Sequence, residues 1–227
     1  MSFVIPAVPQ VSLPVAGSAD RFPVRRIYCV GRNYAEHAKE MGHDPNKEPP
    51  FFFQKNPDNV LTSGELPYPS QTKDLHHEIE LVVALQSGGV DIPAARALEH
   101  VYGYAVGLDM TRRDLQGEAK KMGRPWEVGK AFEHSAPITA IFPASRTGHP
   151  ARGAIWLKVN GVVKQSGDLS ELIWNIPDTI AYLSTLFRLQ AGDLIMTGTP
   201  AGVAAVHKGD VLEGHVDGIA DLKVVVV

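Results

Sequence analysis

The chain has 227 residues, 44% of them hydrophobic and 21% charged, with a net charge of −3. This composition suits a globular protein with a sizeable core and offers no basic field to gather nucleic acid. No apolar run reaches the roughly 20 residues a membrane helix needs, and the proline-broken N-terminus lacks the basic region of a signal peptide.

Prolines and glycines, 17 and 21 of them, punctuate many short apolar runs, which predicts a β-rich α+β fold with a few short helices. Residues 1–24, with Pro6, Pro9, Pro14 and Pro23, read as an extended N-terminal arm, and 25–227 as one domain without a linker. RRIYCVG is a strand whose Cys29, the only cysteine, reads as a small buried hydrophobe or, less commonly, a reactive thiol. A single cysteine is consistent with a reducing cytoplasm. A short helix over Asn33 to Met41 is stopped by Gly42, and PPFFFQKN returns as a strand. From His76 to Asp109 the order is strand, turn, helix (Pro93 to His100) and strand, followed by a helix over Thr111 to Met122. Asn160-Gly161 is a two-residue hairpin signal within a β segment starting at Ala154. Pro177 to Phe187 is a helix, and the tail alternates short strands with turns.

The stretch LHHEIELVVAL reads as a strand, so Glu78 and Glu80 share one face with Cα atoms roughly 7 Å apart. Ile79 and Leu81 point the other way, toward a core. Two carboxylates on an apolar strand are costly without a cation between them. The next strand, VYGYAVGLDM, ends at Asp109, where a third carboxylate can join. Three oxygen anions without a thiolate suit Mg2+ or Mn2+ better than zinc. The alternative is a solvated strand face, with Asp109 as a helix cap.

His37 and Glu40 stand three apart on the first helix, with Cβ atoms roughly 5–6 Å apart. A carboxylate so placed orients an imidazole and raises its basicity toward water; otherwise the two are a surface polar pair. Lys130, in the largely uncharged WEVGKAFEHSAP, can place an ammonium on an anionic substrate or snorkel to the surface. Arg113 and Gln116, three apart, can bind a carboxylate or ketone oxygen, whereas Arg112 and Lys120 read as solvated. Gly198-Thr199-Pro200 closes an apolar run, as an anion seat of backbone N–H groups and the Thr199 hydroxyl or as an ordinary turn. GRPWEVGKA has the wrong spacing for a phosphate loop. His76 and His77 alternate faces, so they cannot both serve one ion from a regular strand.

IYCVGRNYAEHAKEM, DLHHEIEL, GYAVGLDMTRRDLQ, PWEVGKAF, LKVNG and GDLIMTGTPAG occur in this order. Together they resemble the fumarylacetoacetate hydrolase family, from about residue 25 to the end. KEPPFFFQKN resembles the short bacterial branch that hydrolyses fumarylpyruvate in gentisate breakdown. The resemblance implies a mixed β-roll and a homodimer. It implies Mg2+ or Mn2+ on Glu78, Glu80 and Asp109, a water-activating pair His37–Glu40, a polarising Lys130, and substrate contacts from Arg113, Gln116 and Thr199.

The implied substrate is an anionic diketone, an acylpyruvate. Three carboxylates and a divalent cation sum to −1, so Lys130 and Arg113 are expected to offset repulsion of that anion. A rival on the same site is decarboxylation of oxaloacetate, or a related hydratase or isomerase reaction, through a pyruvate enolate. A rival of another class is a non-catalytic, metal-stabilised binding module, which leaves His37, Lys130 and Arg113 without a common task.

Overall fold

The computed structural model describes residues 3–40 and 49–227, the side chains of 38–40 excepted. Its centre is a six-stranded mixed sheet, in the order Phe142–Pro143, Val101–Leu108, Ile79–Leu85, Asp193–Met196, Arg26–Gly31 and Phe51–Lys55. Every residue of Ile79–Leu85 and Asp193–Met196 is buried, as expected of strands covered on both faces. Alternation divides them between two cores. Ile79, Leu81, Val83 and Leu85 enter the larger one, while Val82 and Ala84 enter a second with Cys29, Leu194 and Met196. Cys29 is therefore the buried hydrophobe, its thiol pushed up by desolvation. The same alternation places Glu80 on the face of Val82 and Ala84.

A second sheet runs Val162–Asp168, Ala154–Val159, Val211–Val216, Ala220–Val226 and Glu65–Leu66. Its strands Ala154–Val159 and Val211–Val216 alternate buried with half-buried residues, and Ile155, Leu157, Leu212 and Val216 reach the larger core. Asn160 and Gly161 both have positive φ, 52° and 80°, which is the backbone a tight two-residue hairpin needs.

Several elements differ from their sequence reading. Ser12–Pro14 and Arg21–Pro23 pair as a hairpin, and Leu13, Val15 and Phe22 bury against the second core, so the second half of residues 1–24 folds back onto the sheet. LHHEIELVVAL is two strands, Leu75–His76 and Ile79–Leu85. The break occurs where Ile79 N–H donates to the Gln165 side chain (3.1 Å) rather than to a neighbouring strand. The helix read from Thr111 begins at Arg113 because Thr111–Arg112 pairs with Leu75–His76. The helix read from Pro93 is one turn, Ala94–Ala97, then a tighter one, Leu98–His100. Ile176–Leu186 is helical, capped by Asn175 accepting from Asp178 N–H (2.9 Å) with a proline in the first turn. Among the described residues no helix is long and apolar enough to cross a membrane.

Candidate active site

Strand register assembles the acidic centre. In the antiparallel pair, Ile79 faces Leu108 and Glu80 faces Gly107, and Asp109 N–H donates to the Glu78 carbonyl (2.9 Å). Glu78, Glu80 and Asp109 thus meet at one end of the pair, each offering an oxygen within 4.8 Å of the others. All three are buried, at 6%, 2% and 1% exposure.

Carboxylates so placed need compensating charge. Lys130, the last residue of the short helix Glu127–Lys130, donates to Glu78 Oε2 (2.8 Å), Asp109 Oδ2 (2.7 Å) and Thr111 Oγ1 (2.6 Å). Burial would lower its ammonium, but Asp109 and Glu78 outweigh that and hold it above its ordinary value. Arg113 donates to Glu78 Oε1. Burial alone would raise the Glu78 carboxyl; Lys130 and Arg113 overcome it and hold Glu78 well below the usual carboxylate range.

The third cation was not singled out from the sequence. Lys55 is 1% exposed, lies 2.8 Å from Asp109 Oδ1, and donates to the carbonyls of Met110 (3.1 Å) and Lys130. Its signal is strand alternation: Phe51, Phe53 and Lys55 share one face, and the two phenylalanines line the same cavity as the triad. Lys55 changes the expected charge count. Three carboxylates balance three cations, so a divalent cation would leave the cluster at +2 rather than the +1 expected from Lys130 and Arg113 alone, favourable to an anion.

Glu80 stands apart. It accepts from Gly198 N–H (2.8 Å), and no cation among the described residues pairs with it. Burial, followed by Asp109 and Glu78, pushes its carboxyl well above the ordinary range. A buried carboxylate facing two others, with oxygen donors only, fits a hard divalent cation. The Gly198 N–H offered as an anion seat is thus taken by Glu80. Gly198 has φ +98°, and a Cβ there would lie 2.7 Å from Asn33 Cβ, so the close turn requires glycine.

One cavity is lined by His37, Glu78, Glu80, Asp109, Arg113, Gln116, Lys130 and Thr199. Eight of the nine expected site residues therefore meet; the Glu40 side chain lies outside the described residues. His37, 5% exposed, acts electrostatically on Glu78. Arg113 donates to Gln116 Oε1 (2.8 Å). Gln116 is seated by Gly129, where a Cβ would approach within 3.0 Å. Lys120, expected to be solvated, also lines the cavity, because residues 113, 116 and 120 share a helix face. Arg112 instead lies over the Phe132 ring, 4.3 Å from its centroid.

Gln165 was also missed. Its Oε1 accepts from His77 Nδ1 (2.8 Å) and Ile79 N–H, while its Nε2 donates to Thr199 Oγ1 (2.7 Å) and the Pro200 carbonyl (2.8 Å). The Pro200 carbonyl can only accept, which fixes the amide orientation. Burial lowers His77 to about 4, so the ring is neutral near pH 7 and donates from Nδ1. Thr199 accepts from Gln165, which leaves its own proton for another partner. His76 pairs with Asp74 (2.8 Å), so neither histidine joins the acidic centre.

Residues 26–227 match the family described as fumarylacetoacetate (FAA) hydrolase C-terminal. Oxaloacetate tautomerase FAHD1, mitochondrial, of Rattus norvegicus is 42% identical over 199 residues, covering 88% of this chain and 90% of the relative. The crystal structure of fumarylpyruvate hydrolase from Pseudomonas aeruginosa, in complex with Mn2+ and pyruvate, superposes with a TM-score of 0.98 at 55% identity, covering 100% of this chain and 99% of the other. A 5-carboxymethyl-2-hydroxymuconate delta-isomerase from Mycobacterium smegmatis gives 0.78 at 31% identity, covering 96% and 82%.

Proposed function

The chain belongs to the fumarylacetoacetate hydrolase family, and we propose that within it this protein hydrolyses the carbon–carbon bond of an acylpyruvate, fumarylpyruvate being the preferred case. The observation that carries the reading is the convergence of His37, Lys130, Arg113, Gln116 and Thr199 on the cavity of the three carboxylates. A non-catalytic binding module gives these side chains no shared task. The fumarylpyruvate hydrolase with Mn2+ and pyruvate, at 55% identity, supports both the substrate and a metal of the Mg2+ or Mn2+ type.

Glu78, Glu80 and Asp109 hold the cation. When bound, it would supply a Lewis acid that stabilises negative charge as it develops on the pyruvoyl end. Arg113, Gln116 and Thr199 orient the substrate. His37, with Glu40 as its partner, takes a proton from water, and the hydroxide adds to the carbonyl carbon of the acyl group. The carbon–carbon bond breaks, the acyl group leaves as fumarate, and the electron pair remains with the pyruvate enolate, whose protonation gives pyruvate. All three Lys130 donors are engaged with Glu78, Asp109 and Thr111. To polarise a substrate oxygen, Lys130 gives up one of these contacts and adds positive charge where the enolate forms.

The second reading is proton transfer or decarboxylation on oxaloacetate, favoured by the oxaloacetate tautomerase relative. Decarboxylation needs no attack by water and depends little on His37. Fumarylpyruvate, acetylpyruvate and oxaloacetate assayed side by side, with EDTA and with added Mg2+ or Mn2+, separate the two. Fumarate and pyruvate released in equal amounts support hydrolysis; turnover of oxaloacetate alone overturns it. The reading also carries a homodimer, a cytoplasmic location, and the partition into an arm at 1–24 and a catalytic domain at 25–227.

A further inference from the structure

The cavity has a floor and a rim of different character. The triad, Lys130, Gln116 and Thr199 are buried, whereas Arg32, Phe51 and Trp126 are half-buried and Lys120 is exposed, yet all line the same cavity. Phe51 and Trp126 meet edge to face, their centroids 5.3 Å apart, and each carries a cation. Arg32 Cζ lies 4.6 Å from the Phe51 centroid, and Lys120 Nζ lies 4.8 Å from that of Trp126. The Trp126 face holds the Lys120 ammonium in place without cancelling its charge. No carboxylate of the described residues forms an ion pair with Lys120. Partial burial, with the Arg113 and Arg32 guanidinia, lowers its ammonium to about 8.

The backbone at this rim is also unusual. Arg32 has φ +56°, a left-handed conformation that non-glycine residues adopt rarely and at some cost. Its neighbours pin it there. Gly31 lies under the Phe51 ring, where a Cβ would approach within 2.0 Å. The Asn33 side chain donates to the carbonyls of Trp174 (2.9 Å) and Thr197 (2.8 Å) and accepts from Trp174 N–H (2.7 Å).

We infer that Arg32 and Lys120 form a second anion subsite at the cavity mouth, which takes the far carboxylate of an acylpyruvate acidic at both ends. The inference rests on the acylpyruvate reading and deepens it: the floor takes the pyruvoyl end, and the rim selects dianions over monoanions. Fumarylpyruvate carries that second carboxylate, while crotonylpyruvate is the same chain with a methyl in its place. The comparison of the two isolates the rim.

The experiment measures both ligands on the Mg2+-loaded protein, by Michaelis constant where the ligand is cleaved and by calorimetric titration where it is not. Wild type is expected to favour the dianion about tenfold, the effect of roughly 1.4 kcal/mol shared between two partly exposed pairs. Lys120→Gln and Arg32→Gln should each cut that ratio to about threefold or less. Lys120 lies on the exposed end of its helix, so its variant decides the matter even if Arg32→Gln folds poorly. A ratio near one in wild type, or a wild-type ratio retained in Lys120→Gln, overturns the subsite. If neither ligand is cleaved, the hydrolase reading falls, and the affinity ratio still decides the subsite.

Discussion

Among the described residues a cation lies between two carboxylates twice, with different consequences. In the cavity, Lys130 lies between Glu78 and Asp109, at 2.8 and 2.7 Å. On the second sheet, His215 lies between Asp221 and Asp217, at 2.6 and 2.8 Å, and stacks on Trp156 with centroids 5.0 Å apart. The surface cluster is complete: each carboxylate has its imidazole contact, and solvent screens what remains. The buried cluster adds a third carboxylate, Glu80, that neither Lys55, Lys130 nor Arg113 pairs with among the described residues. Burial strips these side chains of most of their hydration, so that charge must be met by an ion or suppressed by a proton. Burial, rather than the arrangement itself, turns a charge cluster into a site for a divalent cation.

The most severe test of this contrast removes the ion. EDTA should abolish turnover, and Mg2+ or Mn2+ should restore it; full activity of metal-free protein would falsify the chelation model. The same treatment should lower the melting temperature of the protein, since a ligand bound only to the folded state stabilises it. In Glu80→Gln that metal-dependent gain should vanish, while the metal-free variant becomes more stable by about 1–3 kcal/mol, the scale of an uncompensated buried polar group. A metal-dependent melting shift that survives Glu80→Gln would remove Glu80 from the ligand set.

His37→Ala sharpens the comparison by separating proton transfer from ion holding. Turnover should fall about 10²–10⁴-fold, the usual span for a general base, with Mn2+ affinity by titration nearly intact. Wild-type-like turnover would take His37 out of the water-activating role and favour oxaloacetate decarboxylation. Lys55→Met breaks the buried cluster from beneath. Its loss leaves Asp109 short of one ion pair and strips a donor from the carbonyls of Met110 and Lys130, so stability should fall by about 3–5 kcal/mol. Urea denaturation measures this directly, and a change below about 1 kcal/mol would mean that Lys55 is dispensable to the cluster.

What could be read from the chain follows from how local each signal is. Glu78 and Glu80 are legible because alternation along an apolar strand is a two-residue rule, and Arg113 with Gln116 because helical neighbours recur at three. The strands themselves are legible where β-branched runs meet turn residues, as at Asn160-Gly161. Gln165 was invisible: it joins His77 and Ile79 to Thr199, and those partners are separated from it by 88, 86 and 34 positions. No local period announces such a bond. The same contact breaks the strand that alternation alone runs straight through. Lys55 and Lys120 were passed over for a related reason. A lysine at the end of an apolar strand or on a helix usually reaches water, and only the packed neighbours show that these two turn toward one cavity.

The smallest effect belongs to the surface cluster, and its sign is fixed by the histidine. Partial burial would lower His215, but its bonds to Asp221 and Asp217 outweigh that and raise it above 6.5. A histidine raised on folding contributes stability fully below the unfolded value and loses it as pH climbs through the raised one. Wild type should therefore exceed Asp221→Asn in melting temperature at about pH 5.5, with the gap closing as pH climbs through the raised value and the imidazole loses its proton. Added salt should shrink the gap at the lower pH, because exposed pairs are screened. Turnover should be the same in both proteins. A gap that persists at high pH and high salt would mean that Asp221 acts through packing, and the likeness between the two clusters would then end at their geometry.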